Sequence, residues 1–171
     1  MIFTQGTKQE QKQLNEFFQN ISPSLKEKVS ILIFSKDIQM NKGLLKVFLN
    51  KREQIQKDMQ LTIELDDIIS IMIQKFKPDF MQPESIIVNQ FEDTHDMYLV
   101  SKGACLVTLI DEKKNEQIIK ELRPGEYFGE IALIYGCKRT ATVQSLKYST
   151  LAKLKKSDYQ DILIEFPDLK K

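Results

Sequence analysis

Only two cysteines occur in 171 residues, Cys105 and Cys137. Their spacing suits neither a metal site nor a disulfide framework, so a reducing, intracellular setting is the default. Long apolar runs are missing as well. The best of them, Ile68–Ile73, is broken by Ser70 and falls far short of the ~20 residues a spanning helix needs. The N-terminus, Met-Ile-Phe-Thr-Gln-Gly, lacks the basic-then-apolar pattern of a secretory signal. The expected location is cytoplasmic, either free or as the cytoplasmic piece of a larger protein with a membrane section outside this sequence. Charge of one sign is lacking too: 25 Lys and Arg face 24 Asp and Glu, for a net +1. That balance gives no reason to expect nucleic acid or an anionic membrane surface as a partner. The one histidine, His95, sits in an acidic turn with no second histidine or nearby cysteine, so no metal site is expected. No nucleophilic triad or paired acid and base is visible, and the chain is not expected to be an enzyme.

The first third reads as helices. Leu14, Phe17, Phe18 and Ile21 follow the i, i+3, i+4, i+7 spacing of one apolar stripe, predicting a helix over roughly 8–20. Ser22-Pro23 restarts the pattern with an N-cap serine and a first-turn proline, and Leu25, Val29, Leu32 and Ile33 are expected to form the apolar face of the second helix. A third helix is expected after Gly43, with Phe48, Ile55 and Met59 on one side. A fourth is marked by Ile68, Ile69, Met72, Ile73 and Phe76 and ends before Pro78. Residues 1–60 carry ten basic and six acidic side chains and the remainder fifteen and eighteen, an asymmetry compatible with charge-assisted packing between subunits.

From about residue 84 the period changes to two. Ile86–Val88, Met97–Val100, Leu106–Ile110, Gln117–Leu122, Thr142–Leu146 and Thr150–Leu154 read as short strands separated by turn residues. Such a series suggests a small roll or barrel. Ser157 and Gln160 fit a capping box opening a last helix. Tyr159, Ile162, Leu163 and Phe166 form its apolar face, and Pro167 stops it.

Between these strands, residues 124–143 carry the chemistry. Gly129 lets a ligand approach the backbone, because it has no Cβ. Ile131-Ala132-Leu133 begins a short helix whose first amides can face an anion. Arg139, nine residues after Glu130, supplies a guanidinium suited to an anionic oxygen. Glu130 would repel a phosphate but can accept hydrogen bonds from sugar hydroxyls. A molecule holding both groups close together is a cyclic nucleotide.

Phe128-Gly129-Glu130-Ile131-Ala132-Leu133 with Arg139-Thr140-Ala141-Thr142-Val143 closely resembles the phosphate-binding cassette of cyclic nucleotide-binding domains, found in kinase regulatory subunits and in cyclic-nucleotide-regulated cation channels. The resemblance extends over residues 84–167. It implies that Glu130 takes the ribose 2′-hydroxyl, that Arg139 takes the exocyclic phosphate oxygens, and that the amides of Gly129, Ile131 and Ala132 complete the cradle. Val107 and Leu122 match positions that pack on the purine. Thr140 matches a threonine of cGMP-dependent kinases and channels; it permits cGMP without excluding cAMP. Asn20-Ile21-Ser22-Pro23-Ser24-Leu25 resembles the start of the second helix of the channel linker, whose helices form tetramer contacts. Two departures stand out. Most members place a glycine in the turn where this chain has Asn89-Gln90-Phe91-Glu92-Asp93, a structural position. The sequence also stops at Lys171, before the family's last helix would close over the base as a lid.

The expected fold is therefore α+β: an N-terminal helical linker, then an antiparallel, jelly-roll-like β-roll with a phosphate-binding cassette and a short C-terminal helix. The expected division is a linker-like region over 1–62 and a cyclic nucleotide-binding domain over 63–171. The expected function is a sensor for cAMP or cGMP, with no other cofactor, that regulates a linked channel-like protein. It would act as a homo-oligomer (a tetramer if channel-type) and meet the membrane only through a pore outside this chain. The alternative is a scaffold or assembly subunit of the same fold with weak binding or none. A kinase regulatory subunit ranks lower, because residues 1–60 contain no basic inhibitor stretch.

Overall fold

The computed structural model describes residues 8–40 and 70–166. The third helix expected after Gly43, and the 62/63 boundary, lie outside the described residues. Helix α1 spans Lys8–Asn20 and α2 spans Pro23–Met40. The Ser22 hydroxyl accepts a hydrogen bond from the Leu25 amide at 3.3 Å, the N-cap its sequence position suggests. A helical segment over 70–75 then leads into the strands.

Eight strands follow: β1 (Lys77–Met81), β2 (Ile86–Val88), β3 (Met97–Lys102), β4 (Cys105–Ile110), β5 (Glu116–Leu122), β6 (Tyr127–Phe128), β7 (Thr142–Ser145) and β8 (Ser149–Leu154). They form two four-stranded sheets in the orders β1-β8-β3-β6 and β2-β7-β4-β5, and every pairing is antiparallel. Helix α3 (Glu130–Tyr135) lies between β6 and β7, and α4 (Lys156–Glu165) follows β8. This is the α+β roll expected from the alternating segments.

The core has two clusters. One lies within the roll and joins Val88, Tyr98, Val107, Leu122, Phe128, Val143 and their neighbours. In it Tyr98 and Phe128, directly opposed across β3 and β6, stack with centroids 5.0 Å apart. The other joins Phe34 and Ile38 of α2, Met72, Ile73 and Phe76, strand residues Leu99 and Leu154, and Tyr159 and Ile162 of α4. The helical front thus shares a core with the roll. Asp37 on α2 also accepts a hydrogen bond from the Ser101 hydroxyl at 2.6 Å, and Phe18 meets Phe80 edge-on at 6.1 Å.

Several local expectations are corrected. The fully buried positions of α2 are Ser30, Phe34 and Ile38; of the expected face, Ile33 packs partly against the core, whereas Leu25 is exposed and Leu32 is 81% exposed, because the helix carries apolar residues on both sides and spacing alone does not choose between them. Strand β1 starts at Lys77, ahead of the expected onset near 84. Its Pro78 sits on an edge strand paired only with β8, where proline is tolerated. Residues 127–128 also pair as a strand. Helix α4 opens with Lys155, in extended conformation, at the N-cap and without a side-chain cap, so Ser157 does not cap it. The Lys156 amide instead lies 3.4 Å from Oδ1 of Asp96, a residue from the β2–β3 loop.

Candidate functional site

A cleft of about 140 Å³ opens beside the β6–α3–β7 segment, lined among others by Val88, Val107, Gly129, Glu130, Ile131, Ala132, Arg139, Thr140 and Val143. The local backbone follows from the sequence. Gly129 caps α3 in the left-handed conformation, φ 85°, a region that glycine enters without steric cost. The chain turns sharply there and leaves the first amides of α3 without acceptors inside the helix. A second left-handed glycine, Gly136, ends α3 and donates its amide to Ala132 O at 3.0 Å.

Arg139 is the most constrained polar group in the cleft. It is only 3% exposed. Its backbone is clamped to the β2–β3 turn: the Phe91 amide donates to Arg139 O at 2.8 Å, and the Arg139 amide donates to Glu92 O at 2.9 Å. Nε donates to the Thr94 hydroxyl at 2.9 Å. Nη1 is buried with no hydrogen-bond partner among the described residues. Burial pushes the guanidinium below its ordinary range, and the nearby Asp96 and Glu92 carboxylates partly offset this. A buried cation with an idle donor is costly unless an anion completes it. The Gly129 backbone leaves room for one: a Cβ placed there would lie 2.5 Å from Arg139 Nη1 and 2.7 Å from the Asp96 carbonyl oxygen.

Glu130, half-buried at the start of α3, also lines the cleft. The Tyr127 hydroxyl is held above its ordinary range first by burial and then by the Glu130 carboxylate, and both residues line the cleft. Chemically, the arrangement offers one guanidinium donor and helix-start amides for an anionic oxygen, a carboxylate for hydroxyl donors, and an apolar floor.

Of the eight residues singled out from the sequence, seven line this cleft: Gly129, Glu130, Ile131, Ala132, Arg139, Thr140 and Val107. Leu122 does not. It is fully buried in the roll cluster, opposite Cys105 and one same-face step beyond the Val107–Lys120 pair. In its place the cleft takes Lys120, which sequence reasoning missed because only strand register reveals it. Among the described residues, no group of three or more His, Cys, Asp and Glu could hold a metal ion, and no helix is long and apolar enough to cross a membrane.

Comparison with known proteins agrees with the fold. The cAMP-dependent protein kinase regulatory subunit of Candida albicans is 35% identical over 124 residues, covering 70% of this chain and 26% of that protein. The cone photoreceptor cyclic nucleotide-gated channel subunit alpha of Gallus gallus is 26% identical over 144 residues, covering 73% of this chain and 19% of its own length. The chain thus spans about a fifth to a quarter of these curated relatives. Among solved structures, the regulatory domain of Toxoplasma gondii PKA with cAMP shares the fold with a TM-score of 0.54 at 22% identity, covering 78% of this chain and 48% of that one. A family model for the cyclic nucleotide-binding domain matches residues 79–166, just over half of the 171 residues. Because that match runs from β1 through the end of α4 and encloses every residue that lines the cleft, the chain belongs to the cyclic nucleotide-binding domain family.

Proposed function

We propose that the cleft binds a cyclic nucleotide, cAMP or cGMP, and that the chain is the sensor module of a larger channel-like protein. The observation that carries the binding is the idle Nη1 of Arg139, buried beside Gly129. Arg139 and the amides of Gly129, Ile131 and Ala132 hold the cyclic phosphate, Glu130 accepts from the ribose 2′-hydroxyl, and Val107 packs on the purine. Thr140, exposed at the rim, follows Arg139 and stands within reach of the phosphate or of a purine amino group. Binding then biases the linked protein by no more than the ligand's differential affinity for its two states.

The channel part of the reading is supported by the avian channel relative, whose alignment covers 73% of this chain. That exceeds the domain match and takes in part of the helical front. The Candida kinase subunit, at 35% identity over 70% of the chain, favours a second reading as a kinase regulatory subunit. Titration calorimetry with cAMP and with cGMP tests the binding; absence of heat from both at millimolar concentration refutes it. Light scattering separates the two outputs, with a homotetramer expected for the channel type.

A further inference from the structure

Arg139 has two carboxylates near it, Asp96 and Glu92, and pairs with neither. Among the described residues no ion pair includes Arg139, and its Nη1 stays idle. Each carboxylate is occupied elsewhere. Glu92 Oε2 accepts from the Asn89 amide at 2.9 Å, closing the β2–β3 turn on itself. Asp96 Oδ2 lies 2.9 Å from the Lys153 ammonium, and its Oδ1 lies 3.4 Å from the Lys156 amide.

The Asp96 backbone stands beside the guanidinium. Its carbonyl oxygen and Arg139 Nη1 both lie within 2.7 Å of the point a Gly129 Cβ would take. The direction of the Asp96 side chain therefore decides whether its carboxylate meets Nη1, and side-chain torsions have three staggered wells to choose among. Lys153 sets that direction. It opposes Tyr98 across β8 and β3, and Tyr98 opposes Phe128. Directly opposed residues share a face of the sheet, and Tyr98 and Phe128 belong to the cluster inside the roll. The Lys153 ammonium lies 5.4 Å from the centroid of the Tyr98 ring, within cation–π range. Burial pulls this ammonium down, but its bonds to Asp96 and Tyr98 outweigh that and hold it above its ordinary value. It is a fixed, charged anchor that does not itself line the cleft.

Resting on the nucleotide reading above, we propose that Lys153 is a positioning residue for the anion site: by holding the Asp96 carboxylate, it keeps Arg139 from pairing within its own chain. With Lys153 in place, the free chain presents an open guanidinium to the cleft. Without it, a half-buried carboxylate is left with no cation, a costly state, and the idle Nη1 is beside it. Asp96 then turns onto Arg139 and occupies the place of the phosphate, and a nucleotide must displace it to bind.

Calorimetric titration of the full chain with cAMP and with cGMP tests this. Lys153→Met is expected to weaken binding about tenfold, the loss that follows when the guanidinium is open in only about one molecule in ten. Lys153→Arg keeps a cation on Asp96 and is expected to stay within about threefold of the wild type. Lys153→Met combined with Asp96→Asn is expected to recover to within about threefold as well, because a neutral amide holds a guanidinium far less strongly than a carboxylate does. A lysine acting only on stability would leave the double variant as weak as the single one or weaker. Lys75→Met breaks a 2.9 Å bond to Asp161 away from the cleft and is expected to keep wild-type affinity. Undiminished binding by Lys153→Met overturns the proposal. So does a double variant no better than the single one, or a loss in Lys75→Met as large as that in Lys153→Met. If Lys153→Met does not fold, Lys153→Arg and the double variant still decide, since weak binding by either overturns the proposal. Failure of both nucleotides to bind the wild type overturns the nucleotide reading itself.

Discussion

Replacing Gly129 by alanine adds one carbon at the point where the cleft has least room. That carbon would sit 2.5 Å from Arg139 Nη1 and 2.7 Å from the Asp96 carbonyl oxygen. The second contact is with backbone and cannot be relieved by a side-chain rotation, so the cassette or the guanidinium must shift. Gly125 provides a matched control: it has φ +90°, close to the +85° of Gly129, but a Cβ there would meet nothing within 4 Å. Left-handed backbone costs a non-glycine residue about 1–2 kcal/mol. Gly125→Ala is thus expected to lose about that much unfolding free energy and to keep its nucleotide affinity within about twofold. Gly129→Ala carries the same backbone cost plus roughly 1–3 kcal/mol of overpacking, a total of about 2–5 kcal/mol. Urea denaturation measures this difference directly. Calorimetry is expected to show at least a ~10-fold loss of affinity, about 1.4 kcal/mol, because Nη1 leaves the anion position. If the two alanine variants match in both stability and affinity, the close packing of Gly129 on Arg139 has no functional meaning, and the geometric argument for the anion site fails.

Arg139→Ala is expected to lose ~2–5 kcal/mol of nucleotide binding, the range for stranding a charged partner, and Glu130→Ala about 1–3 kcal/mol from an unpaired hydroxyl; both are read by the same titration. Phe91 has φ +68° and is 65% exposed, so Phe91→Gly removes left-handed strain without opening a cavity. It is expected to raise stability by roughly 1 kcal/mol in urea unfolding, and a loss of stability would show that the aromatic ring contributes contacts outweighing the strain. Burial holds the Asp79 carboxyl above its ordinary value of 3.8, with Lys153 pulling it partly back. A raised folded-state pKa means stability that is fully present below the unfolded value and is lost as pH rises through the folded one. Asp79→Asn is therefore expected to raise the melting temperature at about pH 7 and to leave it nearly unchanged near pH 3, where the native carboxyl is already protonated; a gain independent of pH would contradict the assignment.

Much of the roll was legible because its strands announce themselves: Met97–Val100 is a continuous apolar run and Thr150–Leu154 is one broken only by Lys153, and apart from that lysine both lie buried in one sheet. The cassette was legible for a different reason. A glycine that must be left-handed, a carboxylate and an arginine at fixed spacing leave few alternatives. What failed to show was anything decided by tertiary context. Leu32 and Phe34 are equally apolar, and only packing against Leu99 and Ile162 buries the second and not the first. The start of α4 is met by Asp96, sixty residues earlier in the chain, a partner that no local capping pattern contains. Leu122 and Lys120 point to the same face of β5, two residues apart. Which of them reaches the cleft is set by the pairing with β4, which puts Lys120 opposite Val107 and Leu122 opposite Cys105.

The core shared by α2 and the roll separates two units that are easily taken for one. The stretch recognisable by descent is 79–166. Of the twelve buried residues in the larger cluster, five lie ahead of it: Phe34, Ile38, Met72, Ile73 and Phe76. At roughly 2 kcal/mol for each buried apolar side chain, their removal withdraws about 10 kcal/mol, as much as the entire net stability of an ordinary domain. A polypeptide cut at the edges of the family resemblance would keep the whole cleft lining yet expose Leu99, Leu154 and Ile162 to water. The cleft and the capacity to fold thus have different boundaries along this chain, and the helices ahead of the roll are part of what makes the cleft exist at all.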